Sequence, residues 1–148
     1  MFKTVVWATD GSETADRAFP FAKALVSDSG GSLVVAHSKE RLMGGRSTGE
    51  PVLADEDELE AKIQGQVADA KKEGFDATFR LMSGSSGHAA HMIADIADEV
   101  GADLIVVGTR GHTAVGGLLL GSVTQRLLHI ASCPVLAVPP GAQPPTKA

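Results

Sequence analysis

The chain has 148 residues, of which 18 are Asp or Glu and 13 are Lys or Arg, giving a formal net charge of −5. This length fits one domain, and the acidic balance disfavours nucleic acid or an anionic membrane as a partner, because both reward a basic face. Aromatic residues make up only 4% of the chain, which leaves few platforms for stacking bases. We therefore expect a soluble globular protein with neither a nucleic-acid nor a membrane partner.

Cysteine content and apolar runs predict the compartment. Cys133 is the single cysteine, so no internal disulfide is available. The chain reaches Asp10 too early for a secretory signal, and no apolar run approaches the ~18 residues that a membrane span needs. We expect a cytoplasmic protein. Cys133 is interpreted as a small core residue, since no base is identifiable that would make it a nucleophile.

The first part of the chain alternates strand and helix patterns. Thr4–Thr9 is a β-branched apolar run that predicts a buried strand. Apolar residues at helical spacing predict a helix over Ser12–Val26, which Pro20 should kink or shorten. Leu33–His37 is again a continuous apolar strand, and Ser38–Ala54 is predicted to be a long loop.

The same alternation continues to the end of the chain. The remaining predicted elements are a helix through Leu59–Ala70 closing near Gly74, a strand at Ala77–Leu81, a turn at Ser83–Gly87, a helix through Met92–Val100 stopped by Gly101, a strand at Leu104–Val107, a helix through Val123–Ala131 and a strand at Pro134–Val138. Such alternation indicates right-handed βαβ crossovers and a parallel sheet covered by helices on both faces. We place the domain at residues 1–139 and a flexible Pro-rich tail at residues 140–148.

Glycines cluster between the fourth strand and the last helix. Gly108, Gly111 and Gly121, the last followed by Ser122, lie where an open parallel sheet binds ligands and where a helix N-terminus can hold phosphate. Glycine also lets the backbone approach an anion closely. Taken singly, each glycine could equally end a strand or make a turn, and Ser122 could simply cap the helix.

Two acidic residues bear on this interpretation. Asp103 is the last carboxylate side chain, so Arg110 and the other basic residues beyond it form a local field that attracts anions. Asp10 ends the first strand and faces the same crevice if the first and fourth strands are neighbours. A carboxylate there can bond ribose hydroxyls or help to hold a metal ion, although a turn before Gly11 explains Asp10 equally well.

The spacing G-x2-G-x9-G-[ST], met by Gly108, Gly111, Gly121 and Ser122, resembles the ATP-binding signature of the universal stress protein family. Further matches are Val-Val-Trp-Ala-Thr-Asp-Gly-Ser near the start, Asp-Leu-Ile-Val-Val-Gly-Thr-Arg-Gly before the loop and Cys-Pro-Val-Leu-Ala-Val near the end. The resemblance covers residues 2–139. It implies an α/β, adenine-nucleotide alpha-hydrolase-like fold, with an open five-stranded parallel sheet in the order 3-2-1-4-5 and helices on both faces.

The resemblance also implies a ligand and the residues that hold it. ATP is expected, or AMP or cyclic AMP in its place, with Mg²⁺ as an optional companion. The implied contacts are Ala8, Asp10 and Ser38 at the adenosine end, Val107 and Gly108 beneath the ribose, and Gly111, Gly121, Ser122 and Val123 at the phosphates, with Arg110 completing the set. Ser38 departs from the apolar residue that is frequent in nucleotide-binding relatives. The family is commonly homodimeric, and the apolar edge strand Val135–Val138 is the predicted contact.

Three functions remain open. The first is an adenine-nucleotide-binding sensor or regulator in the stress response, since the sequence offers no P-loop lysine and no clear water-positioning base. The second is a slow ATP-hydrolysing or phosphate-transfer enzyme that uses Asp10 for a metal ion and Arg110 for transition-state charge. The third is a dimeric scaffold whose glycine loop no longer binds nucleotide. A further group on one helix, His88, His91 and Asp95, is interpreted as a solvated face.

Overall fold

The computed structural model describes residues 2–27, 29–41, 52–85, 87–110 and 120–146. Within these ranges the elements are β1 Thr4–Ala8, α1 Glu13–Ser27, β2 Ser32–Arg41, α2 Val52–Lys72, β3 Asp76–Ser85, α3 Ala89–Val100, β4 Leu104–Gly108, α4 Ser122–Ile130 and β5 Val135–Val138. The strands form one parallel sheet in the order β3-β2-β1-β4-β5. The predicted fold class and strand order are confirmed.

Two hydrophobic layers enclose the sheet. Successive side chains of a strand point to opposite faces, and β1 is apolar on both. Val5 and Trp7 pack with α1 and α2 on one face, whereas Val6 and Ala8 pack with α3 and α4 on the other. Residues 5–8 are therefore almost completely buried, as a central strand of a doubly covered parallel sheet requires.

Trp7 is the main anchor of the layer beneath α1. Its ring stacks on Phe19, with the centroids 4.1 Å apart and the planes 20° from parallel. Its indole Nε1 donates a hydrogen bond to the carbonyl oxygen of Ala15 at 3.1 Å. The indole is completely buried, so this bond satisfies a donor that water cannot reach.

The centre of the sheet joins distant parts of the chain. β1 pairs with β4 in the register Val5↔Leu104, and the backbone N–H groups of Lys3 and Thr4 donate to Asp103 Oδ2 at 2.7 and 2.9 Å. The bonds from Thr4 and Lys3 hold the pKa of the Asp103 carboxyl below its ordinary value, because they favour the ionised form.

Two predicted boundaries are corrected by the structure. α1 continues through the exposed Pro20 to Ser27, so the proline does not shorten the helix, and a kink at this position stays a prediction. The predicted loop over Ser38–Ala54 is also wrong at both ends. β2 extends to Arg41 by pairing with β3 along its whole length, and α2 begins at Val52.

The boundary of α3 follows its sequence signal closely. Gly101 adopts a left-handed conformation with φ 64°, which glycine tolerates without steric cost, and ends the helix as predicted. Among the described helices, each is too short or too polar to cross a membrane. Beyond β5, Arg17 Nη1 donates to the carbonyl oxygen of Pro140 at 2.9 Å, and Ala142 packs against the core. The flexible tail at 140–148 stays a prediction.

Candidate functional site

A cavity of about 350 Å³ opens at the carboxyl ends of β1 and β4. Within the sheet, β1 has β2 as one neighbour and β4 as the other. The strand order therefore reverses between β1 and β4. Open α/β sheets bind ligands at such a reversal. The described lining residues are Ala8, Thr9, Asp10, Ala15, His37, Ser38, Glu56, Ala89, Ile93, Val107, Gly108, Arg110, Gly121, Ser122, Val123 and Thr124.

The turn between β1 and α1 forms one wall of the cavity. Thr9 Oγ1 accepts a hydrogen bond from the N–H of Gly11 at 3.0 Å, and Asp10 Oδ1 accepts one from the N–H of Ser12 at 2.9 Å. Ser12 Oγ accepts from the N–H of Ala15 at 3.2 Å, which caps the start of α1. These bonds hold the Asp10 backbone at the mouth of the cavity.

Gly11 is favoured in that turn chiefly by its backbone conformation. Its φ of 80° lies in the region that side chains disfavour. A Cβ atom at this position would also lie 2.5 Å from Cδ2 of Leu59, so α2 packs directly on the turn. Gly11 therefore contacts α2, the helix that contributes Glu56 to the lining of the cavity.

The opposite wall is built from the two ends of the glycine-rich loop. The N–H of Gly121 donates to the carbonyl oxygen of Thr109 at 2.6 Å, and Thr124 Oγ1 donates to the carbonyl oxygen of Gly108 at 2.7 Å. These bonds fasten the start of α4 to the end of β4. Gly121, with φ −68° and ψ 157°, is the N-cap, so Ser122 is the first helical residue and not the cap.

This arrangement suits an anion. The first turn of a helix presents backbone N–H groups that lack intrahelical acceptors, and they carry the positive end of the helix dipole. In α4 that turn begins beside Gly108, where a Cβ atom would lie 2.9 Å from the carbonyl oxygen of Thr14. The cavity wall is backbone at this point because a side chain has no room.

The structure brings the predicted binding residues together. All of those that it describes line the cavity: Ala8, Asp10, Ser38, Val107, Gly108, Arg110, Gly121, Ser122 and Val123. Gly111 lies outside the described residues. Asp10 and Gly108 face one crevice because β1 and β4 are neighbours in the sheet, which is the condition that the sequence interpretation required.

Seven of the described lining residues were not predicted from the sequence, and two of these, His37 and Glu56, are ionisable. His37 ends the apolar part of β2, and its side chain is 3% exposed. Its Nδ1 lies 2.8 Å from the carbonyl oxygen of Thr9, and its Nε2 lies 3.2 Å from Oε2 of Glu56. The Glu56 carboxylate comes from the beginning of α2 and is 17% exposed. The cavity wall therefore holds a buried imidazole beside a partly buried carboxylate.

The other chemical candidates lie away from the cavity. His88, His91 and Asp95 are exposed, and the described residues contain no group of three or more possible metal ligands. Cys133 is half-buried against the layer under α3 and α4. Burial raises the pKa of the Cys133 thiol, with Asp98 and Asp103 adding to the effect, which disfavours the reactive thiolate.

Comparison with known proteins gives concordant results. A family model described as the universal stress protein family matches residues 1–139. A universal stress protein of Thermus aquaticus is 38% identical over 141 residues, covering 93% of this chain and 99% of its own. Two solved structures superpose with a TM-score of 0.65 over 93% of this chain. One is a universal stress protein in complex with cAMP, 29% identical and covered to 96% of its length. The other is that of Archaeoglobus fulgidus in complex with dAMP, 31% identical and covered to 98%.

Proposed function

Because the chain belongs to the universal stress protein family, we propose that it binds an adenine nucleotide in the cavity between β1 and β4 and acts as a stress-response regulator. The observation that carries the proposal is the meeting of Gly108, Gly121 and Ser122 at the N-terminus of α4, at the reversal of strand order. The relatives solved in complex with cAMP and dAMP support the same ligand class.

We assign the two ends of the cavity as follows. The N-terminus of α4 takes the phosphates through backbone N–H groups and the Ser122 hydroxyl, with the Arg110 guanidinium and Gly111 nearby in sequence. Val107 and Gly108 support the ribose. Ala8, Asp10 and Ser38 line the adenosine end, where the Asp10 carboxylate accepts hydrogen bonds from sugar hydroxyls. ATP, with or without Mg²⁺, is the proposed nucleotide, and AMP or cyclic AMP would fit the same contacts.

The described lining favours binding over fast catalysis. It contains no lysine, and both nitrogens of its one imidazole are engaged by Thr9 and Glu56. A poised general base needs a nitrogen or oxygen within reach of the attacking water. Steady multiple turnover of ATP that Asp10→Asn abolishes would instead support the phosphate-transfer alternative.

The first test is the thermal midpoint of the ligand-free protein with ATP and Mg²⁺, ADP, AMP and cyclic AMP. A ligand at a hundred times its Kd stabilises the native state by about 2.7 kcal/mol. For a domain of this size we expect a rise of about 5–10 °C with at least one nucleotide, and the rank order identifies the preferred one. No rise with any of the four would contradict the proposal and favour a scaffold without nucleotide.

We further propose a cytoplasmic homodimer that pairs through β5. This strand is the last in the sheet order, and Val135, Leu136 and Ala137 are only half-buried. An unpaired apolar edge of this kind is completed by a strand from a second copy. Light scattering should report twice the chain mass of 15.2 kDa, and the mass of one chain would refute the dimer.

A further inference from the structure

His37 occupies an unusual chemical position in the cavity wall. Nδ1 faces the carbonyl oxygen of Thr9 and Nε2 faces a carboxylate oxygen of Glu56, at 2.8 and 3.2 Å. Both neighbours are acceptors when the carboxylate is ionised. A neutral imidazole has one N–H donor and one acceptor nitrogen, so it can satisfy only one of these contacts. Both contacts are hydrogen bonds only when the pair holds one additional proton.

The extra proton is assigned to the imidazole. Nδ1 must donate, because the Thr9 carbonyl oxygen has no hydrogen to give. An imidazolium also donates from Nε2 to the Glu56 carboxylate, and such charge-assisted bonds are stronger than neutral ones. Without the proton, two lone pairs face each other in a place where the His37 side chain is 3% exposed and water gives little relief.

That proton also changes the charge around the ligand. The ionisable groups in the described lining are Asp10, Glu56, Arg110 and His37. With an imidazolium these four groups are balanced in charge, whereas with a neutral imidazole they carry one net negative charge. The neighbouring cation Lys39 has its Nζ 3.7 Å from Oδ1 of Asp57 and 4.0 Å from Oε2 of Glu60, so its charge is already opposed.

We propose that His37 and Glu56 share a proton as an ion pair, and that loss of this proton at rising pH lowers the affinity of the cavity for an anionic nucleotide. The affinity is high while the proton is present and declines as it is lost, because the lining then repels the phosphate. By reciprocity, the bound anion favours retention of the proton. This regulation rests on the proposed nucleotide site.

The same pair fastens α2 over the cavity. Glu56 lies near the start of this helix, Leu59 packs on Gly11, and Lys62 Nζ donates to the carbonyl oxygen of Gly11 at 2.7 Å. Lys62 also pairs with Oδ2 of Asp16 at 2.6 Å. The helix is thus held to the β1–α1 turn by these contacts and to β2 by the ion pairs of Lys39, and the contact of Glu56 with His37 adds a link to β2 that depends on the proton.

The substitution Glu56→Gln keeps a hydrogen bond at His37 Nε2 but removes the need for the additional proton. The glutamine amide can donate to a neutral His37 Nε2, so the contact with α2 survives without an added proton. Glu58→Gln is the matched control, since Glu58 lies on the same helix, is exposed and undergoes the same chemical change.

Nitrogen-15 spectra of the histidine side chains of the ligand-free protein at pH 7 test the pair itself. We expect imidazolium shifts for His37 in the unmodified protein and in Glu58→Gln, and a neutral ring protonated on Nδ1 in Glu56→Gln. A neutral His37 in the unmodified protein would overturn the proposal, whatever the variants do. This measurement needs no nucleotide, so it stands even if the proposed function fails.

Calorimetric titration with cyclic AMP between pH 6 and pH 8 tests the coupling, because the charge of this phosphodiester does not change over that range. In the unmodified protein and in Glu58→Gln we expect Kd to be constant while the ligand-free His37 keeps its proton, and to rise by at most about tenfold per pH unit where the histidine spectra show that the proton is lost. Kd should stay flat in Glu56→Gln, and Kd for uncharged adenosine should stay flat in all three. Binding of cyclic AMP with equal pH dependence in Glu56→Gln would overturn the coupling, whereas absence of adenine-nucleotide binding at every pH would contradict the proposed function.

Discussion

Replacing Gly121 by aspartate is expected to abolish nucleotide binding while leaving the protein folded. Gly121 is the N-cap of α4 with an extended conformation, and aspartate is among the preferred N-cap residues. Its carboxylate would stand where we place the phosphates. Two like charges about 4 Å apart near a protein surface repel by about 4 kcal/mol, so we expect Kd for ATP to rise by at least about 100-fold.

Gly141→Asp is the matched control for this substitution. It adds the same charge, and a Cβ atom there meets nothing within 4 Å. Nucleotide affinity should be unchanged in the control, and the ligand-free thermal midpoint of Gly121→Asp should equal or exceed that of the unmodified protein. Equal ATP affinity in the two variants would show that the phosphates do not lie at the start of α4.

Replacing Trp7 by alanine is expected to cause a large loss of stability. The substitution removes the stack on Phe19 and leaves the Ala15 carbonyl oxygen without the indole donor in a completely buried place. Large-to-small substitutions of buried aromatic residues cost about 3–5 kcal/mol. We expect the urea midpoint to fall by about 2 M, measured by circular dichroism because the single tryptophan is lost.

Trp7→Phe divides this loss into its parts. Phenylalanine keeps an aromatic ring against Phe19 but removes the donor to Ala15, so we expect roughly half the loss, made up of one buried hydrogen bond and a smaller cavity. An unchanged midpoint for Trp7→Ala would mean that the layer beneath α1 is not the main hydrophobic support of β1.

The order of strands and helices could be predicted because burial leaves a direct pattern in the sequence. β1 and β4 are apolar on both faces since helices cover both. The extent of β2 could not be predicted in the same way. Its last residues, such as Lys39, are polar, and they are held in the strand by backbone pairing with β3 and by ion pairs to α2. The spacing of apolar residues along β2 reveals neither the pairing with β3 nor the ion pairs to α2.

The glycine-rich site could be located because its requirements are requirements on the backbone. Gly108 approaches the backbone of Thr14 so closely that a side chain has no room. Gly121 begins α4 and takes the N-cap position. Sequence spacing alone did not distinguish the cap from the first helical residue, so it left open whether Ser122 caps α4; the structure places Gly121 at the cap. The bond from Gly121 to Thr109 brings the two ends of the loop together, and such a closure is a tertiary contact.

The pair of His37 and Glu56 lay beyond sequence reasoning for a related reason. The residues are 19 positions apart, and their contact depends on how α2 lies across β2, which Leu59 and Lys62 determine by packing on Gly11. One signal was present. His37 is an ionisable residue at the end of an apolar strand whose carboxyl end faces the predicted crevice, and such a position merits attention in any open parallel sheet.

The pairing of β1 with β4 has a consequence for the nascent chain. The bond from Lys3 to Asp103 spans 100 positions, so the last neighbour of β1 leaves the ribosome only after most of the protein has been made. Until then Val5–Ala8, almost fully buried in the finished sheet, form an open apolar edge that other chains can extend. Translation products that stop before Leu104 are therefore expected to aggregate more readily than the complete sheet.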